Sequence, residues 1–206
     1  MIRKELVLAG YSGHGMVVAD TVAATGQTLK FYCDKNERAI NPFKLHYLGF
    51  EGDRNFDWKE GYEFVLGIGD NSIRRRMGEL ITSHNLRCIN IIHPSSHISK
   101  FSTMGSGNFI SSGVHLNVHG VIGDFCILNT GSIIEHECIL GDAVHIAPGA
   151  VLAGNVIVGN NSFIGANSVI KEGVRIGDNV VIGAGTVVIS DINDNEKIVG
   201  NPGRKI

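Results

Sequence analysis

The second half of the chain has one hydrophobic position in every six residues. From Ile98 to Val188, sixteen successive hexads carry an aliphatic residue or methionine at this position. From Ile122 onward, a small or β-branched residue stands four positions after it. An α-helix cannot keep one face at a strict period of six. The period predicts a three-sided parallel β-solenoid of about five coils, with one short strand per hexad and about 18 residues per coil.

The first ninety residues alternate between continuous apolar runs and segments with helical character. The runs predict strands at 6–10, 29–34, 62–69 and 87–94, and the intervening segments predict helices at 16–26 and 71–85. Strand–helix alternation with short connections is typical of a small parallel sheet built from βαβ units. We therefore expect a Rossmann-like α/β domain over residues 1–94 and an all-β solenoid over residues 95–206.

A glycine-rich turn, Gly10-Tyr11-Ser12-Gly13-His14-Gly15, follows the first strand. Such a turn before a helix serves either as a plain tight turn or as a site where backbone N–H groups bind a phosphate. Asp34 and Gly69 end the next two strands, and ligands of parallel sheets bind outside the carboxyl ends of strands. Ser12, His14, Asp34 and Gly69 are therefore expected to share a crevice. The domain is too small for a full dinucleotide fold, which favours a mononucleotide-linked ligand.

Composition and charge narrow the class of protein. The net charge is −2 with no basic stripe, so nucleic acid is not an expected partner. No run approaches the roughly 20 apolar residues of a membrane span, and the apolar stretch at the start is too short for a signal peptide. The four cysteines lack CxxC spacing, and Cys126 and Cys138 occupy inward repeat positions. We expect a cytoplasmic protein with reduced cysteines packed in its core.

Three segments carry a family resemblance: GYSGHGMVVAD, IEHECILGDAVHIAPGAVLAGNV and the tail GNPGRKI. The chain resembles the hexapeptide-repeat acyltransferases, whose solenoid is a left-handed parallel β-helix and which are usually trimeric. It is most similar to the subgroup of bacillosamine-type N-acetyltransferases and sialic-acid O-acetyltransferases. The resemblance implies a homotrimer that uses acetyl-CoA, without a metal, to acetylate the amine of a nucleotide-linked 4-amino-4,6-dideoxy sugar. In the tail, Gly203 replaces the usual alanine.

The resemblance also implies roles for particular residues. His136 corresponds to the general base, and Glu137 to the carboxylate that increases its basicity. His145 corresponds to a contact with the acetyl-CoA thioester region. Three small residues correspond to the coenzyme groove, namely Gly154, Ala166 and Ala184. Four further residues correspond to contacts with the nucleotide sugar, namely Ser12, Gly13, His14 and Asp34.

The predicted coil length gives an independent view of the catalytic segment. Residues 18 apart should stack, which places His136 between Val118 and Gly154, and Glu137 over His119. Because Gly154 has no side chain, we expect space there for a thioester and an N–H group for a tetrahedral oxyanion. Histidine, with an ordinary pKa near 6.5, is suited to removing a proton from an attacking amine or hydroxyl near neutral pH.

Three other functions remain open from the sequence. The same site would serve O-acetylation of a sialic acid or a similar sugar. A metal-dependent hydratase resembling the γ-class carbonic anhydrases would need an H-x4-H arrangement, whereas the chain has H-x3-H at His115 and His119. A purely structural solenoid would leave the E-H-E segment and the glycine-rich turn unexplained.

The run Arg74-Arg75-Arg76 is expected to be a solvent-facing part of the second helix.

Overall fold

The computed structural model describes residues 4–206 and begins with a five-stranded parallel sheet. Its order is β3-β2-β1-β4-β5, and all its neighbouring strands are parallel. The strands are β1 (Glu5–Ala9), β2 (Leu29–Cys33), β3 (His46–Tyr47), β4 (Tyr62–Leu66) and β5 (Arg87–Cys88). Two helices complete the domain, α1 (Gly13–Ala24) and α2 (Asn71–Ser83). The expected βαβ architecture is confirmed, and β1 is buried from Leu6 to Ala9.

Two boundaries differ from the sequence prediction. Helix α1 begins at Gly13 rather than at Met16, so the glycine-rich turn supplies the first helical turn. Residues 87–94 do not form one strand. Arg87–Cys88 pairs with β4, whereas Ile91–Ile92 is the first strand of the solenoid. The domain limits of 1–94 and 95–206 stay a prediction. In residues 4–206, no helix is both long and apolar enough to cross a bilayer.

Strands of two residues, and one of three, build the three faces of the solenoid. Strands 18 residues apart pair in parallel, except that Val181 pairs with Lys197, 16 residues on. The first face contains His97–Ile98, His115–Leu116, Ile133–Ile134, Val151–Leu152, Val169–Ile170 and Val187–Val188. The second face contains Thr103–Met104, Val121–Ile122, Ile139–Leu140, Ile157–Val158 and Arg175–Ile176. The third face contains Ile91–Ile92, Phe109–Ile110, Ile127–Leu128, His145–Ile146, Phe163–Ile164, Val181–Ile182, Lys197–Val199 and an antiparallel Arg204–Lys205.

The predicted hexad positions form the core of the solenoid. From Ile110 to Val188, every anchor residue is buried, and Ile98 and Met104 pack against the same cluster. The small residues at the corners are buried as well, including the unpaired thiols of Cys126 and Cys138. The six-residue pattern therefore predicted both the side chains that point inward and the length of the coil.

In the part of the chain that the structure describes, the first domain packs on the third face of the solenoid and on the corner between the second and third faces. The outward side chains of Ile91, Phe109 and Ile127 are buried in one cluster with Tyr11 and Val18 of the first domain. Outward apolar side chains on the other two faces remain exposed, namely Val121, Ile139 and Val169. The corner between the first and second faces therefore lies opposite the docked domain.

Candidate active site

His136 and Glu137 lie at the corner between the first and second faces. The Nδ1 atom of His136 is 3.1 Å from Oε2 of Glu137, and both side chains are largely exposed. A carboxylate only accepts hydrogen bonds, so this contact favours the tautomer with the proton on Nδ1. The Nε2 atom then keeps its lone pair and is free to accept a proton from a ligand.

The turn geometry at this corner follows the predicted stacking. The Glu137 N–H donates to the carbonyl of Val118, and the Asn155 N–H donates to the carbonyl of His136. Glu137 has a φ of 61°, in the left-handed region that this corner requires. Glu137 bonds to His136, and in residues 4–206 no hydrogen bond or ion pair joins it to His119.

Gly154 lies in the coil after His136 and directly beside the His136 ring. A Cβ atom at Gly154 would be 2.5 Å from Nε2 of His136 and closer still to Cε1. The imidazole therefore occupies the space that the sequence analysis expected to be open for a thioester. The absence of a side chain at Gly154 instead allows the ring to lie against the backbone of the next coil.

The glycine-rich turn lies at the carboxyl edge of the parallel sheet. Gly10 has a φ of 87°, and a side chain at Gly10 or Gly15 would collide with neighbouring backbone or with Ile68. Gly13, in contrast, faces open space. Ser12 is the N-cap of α1 but makes no capping bond with its side chain, which leaves the first N–H groups of the helix available to a ligand.

Asp34 holds this turn in place. Its Oδ2 atom accepts from the Tyr11 N–H at 2.9 Å and from the Arg38 guanidinium at 2.6 Å, and its Oδ1 atom accepts from the Lys35 N–H. The carboxylate therefore fixes β2 to the loop that follows β1. It lies beside the predicted crevice with both oxygens already bonded to protein groups.

His14, Gly69 and His145 come together where the first domain meets the third face. The ring centroids of His14 and His145 are 6.4 Å apart, and the Cβ position of Gly69 lies 3.8 Å from Cβ of His14. Asn129 adds a contact that the sequence analysis missed, with its Nδ2 atom 3.2 Å from Nε2 of His145. His14, which is expected to contact the nucleotide sugar, and His145, which is expected to contact acetyl-CoA, are therefore neighbours within one chain.

Burial keeps both of these histidines neutral. Together with the nearby charge of Arg74, burial lowers the pKa of His145 to about 3 and that of His14 to about 4. Neutral imidazole both donates and accepts hydrogen bonds. In residues 4–206, the buried Nε2 of His14 and Nδ1 of His145 have no hydrogen-bond partner, so each ring keeps one unused hydrogen-bonding position.

An open cleft of about 420 Å³ continues outward from Gly69. The start of α2 forms one wall, and the third face, through Phe163 and Val181, forms the other. Phe163 also packs edge-on against His145, with 5.0 Å between the ring centroids. The cleft therefore reaches the two residues that contact these histidines, namely Gly69 and Phe163.

Arg74 corrects the prediction of a solvent-facing arginine run. It is 1% exposed, and its guanidinium bonds to carbonyls of both domains. Arg75, which pairs with Glu79, and Arg76 do have solvent-accessible side chains. The spacing of Arg74, Met77, Gly78 and Ile81, all buried, marks one face of an amphipathic helix. This spacing is the sequence signal that could have predicted the burial of Arg74.

The remaining predicted positions lie elsewhere on the solenoid. Ala166 and Ala184 lie in turns between the third and first faces, at a different corner from Gly154. His115 stacks on His97 of the adjacent strand with 5.7 Å between ring centroids, whereas His119 lies at the corner below Glu137. Within one chain, the residues predicted to contact the coenzyme therefore lie on separate sides of the solenoid.

The chain matches two family models, the PglD N-terminal domain over residues 5–81 and the hexapeptide repeat of succinyl-transferase over residues 155–190. The acetyltransferase domain of PglB from Neisseria gonorrhoeae, solved in complex with acetyl coenzyme A, is 30% identical. That alignment covers 99% of this chain and 100% of the PglB chain, with a TM-score of 0.93. The chain belongs to the hexapeptide-repeat sugar N-acetyltransferase family.

Two further relatives belong to the same group. PerB from Caulobacter crescentus, solved in complex with CoA and GDP-perosamine, is 32% identical with a TM-score of 0.91, and the alignment covers 98% of this chain and 97% of PerB. UDP-N-acetylbacillosamine N-acetyltransferase from Bacillus subtilis is 29% identical over 121 residues, or 52% of this chain and 51% of that protein. The chain thus spans about half the length of this curated relative. The family resemblance drawn from the sequence is confirmed.

Proposed function

We propose that this protein transfers the acetyl group of acetyl-CoA to the amine of a nucleotide-linked 4-amino-4,6-dideoxy sugar. The observation that carries the proposal is the His136–Glu137 pair, whose Nδ1 to Oε2 contact leaves Nε2 as a proton acceptor at an exposed corner. The named relatives N-acetylate bacillosamine and perosamine sugars or bind GDP-perosamine. We expect the protein to act in the cytoplasm.

The reaction is a direct transfer without an acyl-enzyme. The neutral sugar amine attacks the thioester carbonyl carbon, forming the C–N bond while Nε2 of His136 accepts the amine proton. The tetrahedral oxyanion then collapses, the C–S bond breaks, and the leaving thiolate takes the proton from the His136 imidazolium, which restores the neutral base. Glu137 stabilises the imidazolium through its carboxylate. The balance needs no metal and no further nucleophile, because the thioester is already activated.

The ligand contacts remain those expected from the sequence. We propose that Ser12, Gly13, His14, Asp34 and Gly69 bind the nucleotide sugar at the carboxyl edge of the sheet. His145, Ala166 and Ala184 are proposed to contact acetyl-CoA, and Gly154 is proposed to do so through its backbone, beside the His136 ring. Gly13, with open space in front of it and free N–H groups at the start of α1, is suited to a phosphate.

We further propose a homotrimer in which each site is shared between two chains. The His136 corner lies opposite the third face, on which the first domain sits, so the base and the sugar crevice of one chain are on opposite sides. The exposed apolar side chains of Val121, Ile139 and Val169 flank the His136 corner on both adjoining faces. If these apolar side chains pack against a neighbouring chain, His136 of one chain would lie next to the nucleotide-sugar crevice of the other.

A product assay tests the activity. Acetyl-CoA is incubated with UDP-, GDP- and dTDP-linked 4-amino-4,6-dideoxy sugars, and the products are identified by mass spectrometry and NMR. We expect an N-acetyl amide with one of these sugars. A product acetylated on oxygen, or acetylation of sialic acid alone, would replace the proposal by O-acetyl transfer. No acetylated product with any of these substrates would refute it.

Subunit mixing tests the shared site. His136→Ala removes the base, and Gly13→Asp places a carboxylate where the phosphate is expected, so each variant alone should be inactive. Trimers reassembled from equal amounts should recover about one quarter of wild-type activity, because one of the four subunit pairings has both halves intact. A site contained within one chain would recover none. Size determination by light scattering is the control for assembly.

A further inference from the structure

Arg74 is the largest fully buried side chain of the protein's described residues and lies between the two domains. Its Nε atom donates to the carbonyl of Phe125 at 2.7 Å, and its Nη2 atom donates to the carbonyl of Ala143 at 3.0 Å. Phe125 and Ala143 are stacked turn residues of the solenoid, both with left-handed backbone. Arg74 therefore binds two successive coils at the corner between the second and third faces.

The same guanidinium also binds the loop that ends β4. Nη1 donates to the carbonyls of Ile68 and Gly69, at 3.2 and 3.0 Å, and Nη2 donates to Oδ1 of Asn71 at 2.8 Å. All five partners are neutral oxygens. Gly69 adjoins His14, and Ala143 stands two residues before His145. One planar cation thus joins the loop of the sugar crevice to the coil that carries His145.

Arg74 also adds to the effect of burial on the two imidazoles of His14 and His145. Burial lowers its own pKa only to about 10, so it stays protonated at neutral pH. Its charge helps to keep His14 and His145 neutral, and the pKa of His145 is lowered by His14 as well. Oδ1 of Asn129 accepts from the Thr130 N–H, so Nδ2 of Asn129 donates to Nε2 of His145. The proton of neutral His145 is therefore on Nδ1.

We propose that Arg74 is a positioning residue for acetyl transfer, fixing the Gly69 loop and the His145 coil in one geometry across the domain boundary. This inference rests on the proposed function, since the two elements are the predicted sugar and acetyl-CoA contacts. Lysine cannot replace Arg74, because an ammonium lacks the planar fork that reaches five acceptors in two domains.

The test compares Arg74→Lys and Arg74→Gln with Arg75→Lys and Arg75→Gln in the intact trimer. A displacement of about 1 Å at a reacting group is worth about 100-fold in rate. We therefore expect kcat to fall by about 100-fold in both Arg74 variants, with KM for acetyl-CoA changed by less than about threefold. The Arg75 variants, which lose only a surface pair with Glu79, should keep wild-type kcat. A folded Arg74→Lys enzyme with wild-type kcat would overturn the proposal.

Two further measurements separate positioning from loss of folding. Histidine NMR titration of Arg74→Gln should show higher pKa values for His14 and His145 than in the wild type, because a facing charge has been removed. Cys126 and Asp70, the titratable groups whose charges act on Arg74, are unchanged in all variants. If Arg74→Gln does not fold, Asn71→Ala removes one partner of the guanidinium and should lower kcat by about tenfold. It also removes the bonds that Nδ2 of Asn71 donates to the carbonyls of Asn161 and Ser162. Unchanged histidine pKa values, or an Asn71→Ala enzyme with wild-type kcat, would contradict the proposal.

These results are distinguishable from failure of the proposed function. A wild-type enzyme that acetylates no nucleotide amino sugar refutes the function, and the histidine titration then still tests the geometry around Arg74. An active wild type together with fully active Arg74 variants refutes only the positioning role.

Discussion

Replacing Gly154 with alanine would place a methyl group where the His136 ring lies. The new Cβ atom would be 2.5 Å from Nε2, whereas carbon and nitrogen atoms in contact are normally about 3.5 Å apart, so the ring must move by about 1 Å. The backbone itself is not strained, because Gly154 does not have a positive φ. His136 is half exposed and is able to swing outward. The substitution should therefore spare the fold and displace the base.

We expect Gly154→Ala to lower kcat by about 100-fold, the cost of a misplacement of this size, while thermal stability changes little. The control is a double-mutant cycle with His136→Ala. Once the imidazole is gone, the added methyl has nothing to displace, so the double variant should have the kcat of His136→Ala alone. Steady-state kinetics at saturating substrates and thermal denaturation provide the measurements. Full additivity of the two losses, or wild-type kcat for Gly154→Ala, would refute this reasoning.

Three further predictions follow from other contacts. Glu137→Gln should lower kcat by about tenfold, less than loss of the base, because it removes the charge but keeps a hydrogen-bond acceptor near Nδ1; equal losses for Glu137→Gln and His136→Ala would contradict this order. Ile146→Asp should cost at least about 4 kcal/mol in urea unfolding, because Ile146 is fully buried, whereas Ile189→Asp, at an exposed site, should change stability little. His145 and His14 have folded pKa values of about 3 and 4, below the ordinary 6.5, so the unfolded chain binds their protons first. The free energy of unfolding should therefore fall as pH drops from about 6.5 toward 4, by up to about 1.4 kcal/mol per pH unit for each group, and His145→Gln should reduce that slope.

The repeat made most of the solenoid predictable from the sequence. The position of each anchor within its own hexad, from Ile110 to Val188, is enough to predict that its side chain points inward. Because three hexads make one coil, residues 18 apart are predicted to stack. The contact between His136 and Gly154 was predictable for the same reason. The sequence did not indicate that the ring fills the space above Gly154, because that depends on the side-chain conformation of His136.

Features at the domain boundary were not predictable in this way. The segment 87–94 is rich enough in apolar residues to suggest one strand, and its division between two sheets depends on how the domains meet. The proximity of His14 to His145 arises because the first domain docks on the third face, a contact between distant parts of the chain. The helical spacing of Arg74 with Met77 and Ile81 was a signal that Arg74 is buried. Its position in a run of three arginines instead favoured the prediction of a solvent-facing side chain.

The His136→Ala variant tests the central claim most directly. With the wild type's best nucleotide amino sugar and saturating acetyl-CoA, we predict that kcat falls by a factor of about 10² to 10⁴, the usual contribution of a general base. Acetyl-CoA affinity, measured by calorimetry, should stay near the wild-type value, because the proposed coenzyme contacts at His145, Ala166 and Ala184 are unchanged. A folded His136→Ala trimer that acetylates the same sugar at a near wild-type rate would contradict the account.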